Sequence, residues 1–353
     1  MTAGSASLPD AVTPSGHRIR PASAADLPVC AAIWRHSLND YLGRLAQPEI
    51  PDDLVSILRL YDHLQATDPA TFLVGEAPAA GAGVTRTGSR AAGSPPIDGF
   101  AVVVRRDTLS FLSMLFVRPT VQARGLGRAL LAATGIDRPA AEAGDTTGAA
   151  DGNGFASRAT ATDTAQPISN GLYASLGIVP RIPLFRLVGL PTRDGAFEPL
   201  PGGVEAIAFD EVGDAPDGLG RSALAAELDA LDRDAAGFSR QPDHAFQLRE
   251  GRIGFLFRDR DGRAIGYGYT SEAGRVGSIA VRDAALLGPV VGFLVRAVQP
   301  RGAFGLWVPG AAGEAIVPLL RAGFRFDGFP VLLCWDRPPT DFERYLPVSP
   351  GML

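Results

Sequence analysis

Residues 116–131 read FVRPTVQARGLGRALL. Phe116 and Val117 end an apolar run, and the Ala/Leu spacing beyond Gly125 predicts a helix over 125–134. Between them stands the turn Gln122-Ala123-Arg124-Gly125-Leu126-Gly127. A strand that feeds a helix through such a turn points several free backbone N–H groups at one spot, and the helix dipole adds positive potential there. Glycine at 125 and 127 removes the Cβ that would keep an anion from the backbone. Arg124 and Arg128 can add charge-assisted hydrogen bonds from the side. Phosphate binding is one reading of the turn; close packing of helix on strand is the other.

Working outward, the same change of period recurs. Upstream, FLVGEA (72–77), IDGFAVVVRR (97–106) and TLSFLSMLFV (108–117) read as three strands, the first two separated by an Ala/Gly/Ser/Pro-rich insertion at 77–96. Before them, His17–Pro21 reads as a short strand, and Ser23-Ala-Ala-Asp26 has the form of a helix-starting capping box. Leu27, Cys30, Ala31, Ile33 and Trp34 then recur at helical spacing, and a second helix is expected over 52–65. Downstream, residues 138–156 are polar, glycine-rich and without period, and are expected to be mobile. ATATDT (159–164) reads as a weak strand, QPISNGLYASLG (166–177) as a short helix and VPRIPLFRLVG (179–189) as a closing strand pair.

A chain of 353 residues is long for one core, and about two domains are expected. A Pro/Gly-rich linker at 191–203 leads to a second half with a similar rhythm. There Ala280-Val281-Arg282-Asp283 lines up with Phe116-Val117-Arg118-Pro119, and Ala322-Gly323-Phe324 with Leu176-Gly177-Ile178, which reads as a diverged internal duplication. The expected division is a disordered tail over 1–17, a first domain over 18–190 and a second over 204–353.

A net charge of -5 and a pI near 5.5 argue against a nucleic-acid surface, which needs surplus Lys and Arg. The first residues lack a basic start and an apolar stretch, and no apolar run reaches membrane-spanning length, so a cytoplasmic protein without membrane contact is expected. Cys30 and Cys334 lie far apart in apolar surroundings and read as buried free thiols; no His or Cys pair has metal-ligand spacing, so no metal is expected.

Three phosphate-binding patterns compete for the turn. A P-loop needs Gly-Lys-Ser/Thr, whereas Gly127 is followed by Arg128-Ala129. A dinucleotide fingerprint needs a third small residue at 130, where Leu130 stands, and an acidic residue closing the next strand. The turn instead resembles the acetyl-CoA diphosphate loop of the GCN5-related N-acetyltransferases (GNAT). The family's second landmark, Tyr-x-x-x-Gly followed by an apolar residue, is supplied by Tyr173-Ala-Ser-Leu-Gly177-Ile178.

The resemblance implies an α/β (α+β) fold of tandem GNAT domains, each a mixed, mostly antiparallel sheet flanked by helices. It implies transfer of an acetyl group from acetyl-CoA, as co-substrate, to an amine of a small molecule or a protein, by a monomer or homodimer. Backbone groups of Leu115, Phe116 and Val117 would meet the pantetheine, and Gln122, Ala123, Arg124, Gly125, Leu126, Gly127 and Arg128 the diphosphate. Gln166 stands where the family often has Asn, and Tyr173 would protonate the leaving thiolate. Asn39 and Tyr41 are candidate acceptor contacts, or cap and pack their helix. Glu49, Asp52, Asp53, Asp163, His36 and His63 are possible bases, none singled out. Counting from Val281 puts Leu286 under Gln122, Gly288 under Arg124, Pro289 under Gly125, Val291 under Gly127 and Leu319 under Tyr173, so the second copy is expected to be silent. The rival reading is a non-catalytic acyl-CoA-binding regulatory module.

Overall fold

The computed structural model describes residues 11–13, 15–78, 95–139, 155–193, 195–213 and 220–353. Most of the insertion at 77–96 and most of the stretch 138–156 therefore lie outside the described residues. The chain divides into two compact units, residues 1–105 with 111–139 and residues 106–110 with 140–353.

In the first unit, β1 (Ala11–Val12) and β2 (Arg18–Pro21) precede α1 (Leu27–Arg44) and α2 (Val55–Thr67). Then come β3 (Phe72–Glu76), β4 (Ile97–Arg106), β5 (Leu109–Val117) and α3 (Leu126–Thr134). The strands lie in the order β1-β2-β3-β4-β5, with β1 on β2, β2 on β3 and β3 on β4 antiparallel. β1 falls inside the stretch expected to be a disordered tail; its Ala11 and Val12 pair with Ile19 and Arg18. Helix α2 begins three residues later than its apolar spacing suggested. The Asp53 carboxylate accepts the Val55 N–H at 3.0 Å, so Asp53 caps the helix from outside. At the start of α1, the Asp26 carboxylate takes both the backbone N–H and the hydroxyl of Ser23 at 2.7 Å, as the capping-box spacing required. Tyr61 meets Phe72 and Phe100 edge-on at 5.7 and 5.6 Å, and Phe100 stacks on Phe116 at 5.7 Å, tying α2 to the end of β5.

The second unit holds β6 (Ser157–Asp163), α4 (Pro167–Ala174), β7 (Val179–Gly189), β8 (Glu205–Ala208), α5 (Phe209–Gly213), α6 (Gly220–Leu231) and α7 (Gln241–Arg249). It continues with β9 (Ile253–Arg258), β10 (Ala264–Thr270), β11 (Ile279–Val281), α8 (Leu287–Ala297) and β12 (Phe304–Pro309). It ends with α9 (Gly313–Ala322), β13 (Arg325–Phe326), β14 (Val331–Trp335) and β15 (Tyr345–Leu346). One set of strands runs β6-β14-β7-β12, with β13 also on β7; the other is a sheet in the order β15-β11-β10-β9-β8. The apolar faces of α8 and α9 close over Phe257, Ile279, Phe304, Leu306 and Val308, all buried.

Residues 179–189 form one strand, not the expected strand pair. Nothing between Val179 and Gly189 turns the chain, since Pro180 and Pro183 are compatible with extended backbone but the stretch holds no Gly, Asn or Asp. The partner comes from far downstream: β14 lies between β6 and β7, with Val331 opposite both Asp163 and Leu184. On its other edge β7 pairs with β12, from Leu184–Pro309 to Gly189–Phe304. The linker at 191–203 is thus no break in the strand pairing.

The ends of α4 and α9 are built alike. The Ile178 N–H donates to the Tyr173 carbonyl at 3.1 Å and the Phe324 N–H to the Leu319 carbonyl at 3.0 Å. Each closure passes through a left-handed glycine, Gly177 at φ +82° and Gly323 at φ +105°. This matched pair of helix stops supports the duplication and sets Leu319 against Tyr173, as counting along the sequence did.

A buried polar cluster joins the π-helical turn Asp232–Ala236 to α7 and β10. Asp232 is fully buried and accepts from the Tyr267 hydroxyl, and its other oxygen is 2.8 Å from His244 Nε2. The fully buried Arg240 guanidinium stands 3.8 Å away and donates to Tyr267 and Ser278 at 2.9 Å. Removing the carboxylate strands a buried cation and two polar side chains. Asp232→Ala is therefore expected to lower stability by about 3–5 kcal/mol, read as a shift of the urea midpoint at unchanged slope.

Candidate functional site

Strand β5 leaves the core progressively: Phe111 and Leu112 are buried, whereas Leu115, Phe116 and Val117 are half-exposed. Its end is fixed by its own carbonyl. Val117 O accepts from the Gln122 side-chain amide at 2.9 Å and from the Ser37 hydroxyl at 3.3 Å. Next, the Arg118 N–H donates to the Asp98 carbonyl at 2.8 Å and its Nε to the Ile97 carbonyl at 3.0 Å. Gln122, expected to face a ligand, thus turns its amide back to clamp the bend.

Beyond Gln122 the backbone alternates through left-handed positions, Ala123 at φ +61° and Gly125 at φ +90°. Helix α3 starts at Leu126, and the first α-type bond runs from the Ala129 N–H to the Gly125 carbonyl at 3.0 Å. The six consecutive N–H groups of Ala123 through Arg128 consequently donate to no acceptor among the described residues. That is the concave amide array that binds anions, with the positive end of a helix behind it. Gly125 is exposed, and a Cβ built on it would meet nothing within 4 Å, so glycine is needed there for its φ and not for want of space. Arg124 and Arg128 are exposed on the same turn. The bend therefore suits a diphosphate in backbone donors, shape and charge.

What places α3 is a pair of strand glycines that pattern reading passed over. A Cβ on Gly75 of β3 would lie 2.7 Å from Leu126 Cδ1. One on Gly99 of β4 would lie 2.9 Å from the Phe116 carbonyl and 3.1 Å from Val117 Cγ2. Leu126, 1% exposed, seats the first turn of the helix in the gap they leave, with Ile19, Leu73, Ala101 and Leu130 around it. The signal was present as lone glycines inside two strands, which mark close approach of another element. In Gly99→Ala the closest contact is the Phe116 backbone carbonyl, which cannot rotate away, so the substitution is expected to destabilise by about 1–3 kcal/mol in thermal melts.

The other candidates of the first unit are largely engaged. Asn39 accepts the Ile50 N–H at 2.8 Å and reaches the Ile50 carbonyl at 3.4 Å, so it closes the loop between α1 and α2. Tyr41 is buried, 7% exposed. Asp52 pairs with Arg35 at 2.7 Å and Asp53 caps α2, while Glu49 and His36 are exposed and His63 is buried.

In the second unit, Tyr173 sits on α4, 6% exposed. Burial above all, with Cys334 beside it, pushes its hydroxyl well above the ordinary phenol range, against a hydrogen bond with Ser169. The proton is therefore held on this oxygen more tightly than on a free phenol. Gln166 opens α4 with its carbonyl, which accepts from the Asn170 N–H at 3.1 Å and the Asn170 amide at 2.9 Å. The same amide reaches the Asp163 carbonyl at 3.0 Å, so Asn170, a residue not singled out in the sequence, ties β6 to α4. Asp163 itself accepts the Ala165 N–H at 3.1 Å as a turn residue. Both cysteines are free and buried, as expected, and burial pushes each thiol up to about 12.

The second copy lacks the bend for a reason other than counting gave. From Val281 the chain makes a 3₁₀ turn at Ala284–Leu286 and enters α8 directly at Leu287. Pro289 and Val291 are therefore inside α8, not at the positions of Gly125 and Gly127. The residue before the helix, Leu286, has φ -78° where Gly125 has +90°. The loop is three residues shorter, six steps from Val281 to Leu287 against nine from Val117 to Leu126, and the array of free amides never forms.

No protein-family profile matches the sequence, and comparison with curated proteins gives no significant match. Solved structures do match. A putative acetyltransferase from Pyrococcus horikoshii superposes with a TM-score of 0.66 at 12% identity, over 99% of this chain and 100% of that one. A GCN5-related N-acetyltransferase from Sphaerobacter thermophilus gives 0.54 at 17% identity, over 92% and 98%. A tandem GNAT protein from the clavulanic acid biosynthesis pathway gives 0.50 at 16% identity, over 90% and 97%. Likeness at such identities bears on architecture, and it extends over nearly the whole length of each chain. The chain has the fold of the GCN5-related N-acetyltransferases, drawn out to the length of a tandem protein of that fold.

Proposed function

We propose that the chain is an acetyl-CoA-dependent N-acyltransferase, with the diphosphate of the co-substrate held by the bend at 122–128. The observation that carries this reading is the run of six backbone N–H groups at Ala123–Arg128 without an acceptor among the described residues, on a bend where Ala123, Arg124, Gly125 and Arg128 are exposed. Acetyl-CoA supplies an activated thioester. The half-exposed end of β5 offers backbone at Leu115 and Phe116 for the pantetheine arm and for the carbonyl oxygen that becomes negative as the amine attacks. In the transfer the amine nitrogen forms a bond to the acyl carbon, the C–S bond breaks, the amine gives up a proton and the thiolate takes one. Tyr173 is the donor to that thiolate, its own proton secured by burial. The acceptor is a primary amine of a small molecule or of a protein.

One finding favours the rival, a module that binds acyl-CoA without turnover. Three of the four carboxylates weighed as base, Asp52, Asp53 and Asp163, are each committed to an ion pair or a turn, and the fourth, Glu49, is exposed. A direct acyltransferase tolerates this if the amine arrives as free base or loses its proton to water. The two readings separate on calorimetry with coenzyme A combined with thiol release from acetyl-CoA across a broad amine panel. Binding with turnover is expected; binding without turnover selects the rival, and neither binding nor turnover rejects both.

A further inference from the structure

The end of the helix that carries Tyr173 is tied to the end of β14, a strand of the duplicated half, by one arginine. Arg158, at the start of β6, is 6% exposed. Its N–H and its Nε each donate to one oxygen of Asp336 at 2.8 Å, and the Asp336 N–H returns to the Arg158 carbonyl at 3.1 Å. A second nitrogen of the guanidinium, Nη2, donates to the Leu176 carbonyl at 2.9 Å. Leu176 in turn donates its N–H to the Tyr173 carbonyl at 3.0 Å. Asp336 directly follows β14, whose Cys334 neighbours the Tyr173 hydroxyl.

A guanidinium is planar, so fixing two of its edges fixes the third. Helix α4 has only eight residues, and its Ile168 is 71% exposed, so its own packing holds it weakly. We propose that Arg158 and Asp336 are a positioning pair for Tyr173. Through them the strand contributed by the second copy sets where the phenol of the first copy points. This gives the copy without an anion-binding bend a direct part in turnover. The inference rests on the reading of Tyr173 as proton donor. Neither residue touches the reacting atoms.

The test uses the full chain. Asp336→Asn keeps the shape of the side chain but loosens the fork, and is expected to lower kcat by about tenfold or more, as small misplacements of catalytic groups do. KM for acetyl-CoA should stay within about twofold, because the bend at 122–128 is untouched. In a Tyr173→Phe background the same substitution should cost nothing further, since there is no donor left to misplace. An equal fractional loss in both backgrounds overturns the proposal, marking the pair as merely structural. The second measurement is 19F NMR of protein labelled with fluorotyrosine, whose Tyr173 resonance is the one lost on Tyr173→Phe among six tyrosines. A shifted or broadened Tyr173 signal in Asp336→Asn supports the pair, and an unchanged one overturns it, whether or not any amine is acetylated. If Asp336→Asn does not fold, Arg158→Lys, which keeps the charge but not the planar fork that reaches both Asp336 and Leu176, is read in the same two ways. Should Tyr173→Phe turn over like the parent, the donor reading fails, while the resonance still decides whether the pair places the ring.

Discussion

Gly125→Pro is expected to abolish coenzyme A binding measured by calorimetry while leaving the protein folded. Proline holds φ near -65°, and Gly125 stands at +90°, so the substitution cannot be absorbed without reversing the turn. Reversal turns the amides of Ala123 to Arg128 away from a common point. If two or three charge-assisted bonds to phosphate are lost, each worth about 1.5–3 kcal/mol, affinity falls by at least about a hundredfold. The fold should survive, because Gly125 is exposed and nothing lies within 4 Å of where its Cβ would be. Gly125→Ala is the graded control: a left-handed alanine is strained by about 1–2 kcal/mol, so binding should weaken without vanishing. Wild-type affinity in Gly125→Pro would remove the bend from the site.

The bend could be read in the sequence because its physics is local. A strand end, two glycines and a helix start lie within sixteen residues, and the left-handed φ at Gly125 needs no distant partner to explain it. β4, expected over Ile97–Arg106, and α3, ending at Thr134, were legible for the same reason: their hydrophobic period is strong and their ends are marked. What could not be read depends on pairing across long separations. That 179–189 is one strand follows from β14 lying alongside it about 150 residues later, and strand alternation says nothing about which strand is the partner. β12, FGLWVP, went unnoticed because its glycine and proline mimic a turn, yet its pairing with β7 keeps it extended. In the site, the missed residues act through others. Gly75 and Gly99 work by lacking a side chain where Leu126 arrives, and Ser37 works by one bond to the Val117 carbonyl. Gln122 lies on the bend, but its amide folds back on the Val117 carbonyl, a contact that spacing along the chain does not announce. The counted alignment of the two copies failed at Pro289 because a three-residue difference in loop length is invisible where the second copy keeps no landmark.

For Tyr173→Phe, coenzyme A binding should be unchanged and turnover lowered by about a hundredfold, the usual worth of a positioned acid. The deficit should also grow with pH, and the sign follows from which groups change charge. Wild-type turnover rises with pH as the acceptor amine, with a pKa near about 10 for a lysine-like group, becomes free base. Burial raises the Tyr173 phenol well above its ordinary value, so the donor keeps its proton throughout that rise and the wild-type profile has no falling limb from tyrosine ionisation. Without the phenol, the departing thiolate depends on solvent for its proton. Below about pH 8.5, the ordinary thiol pKa, solvent protonates it readily; above that it does not, and the variant falls further behind with each unit. A purely structural effect of losing the buried hydroxyl predicts the opposite pattern, a deficit that is the same at every pH and is accompanied by a changed melting temperature. Parallel pH profiles for wild type and Tyr173→Phe would therefore take the phenol out of the chemistry even if the rate had dropped.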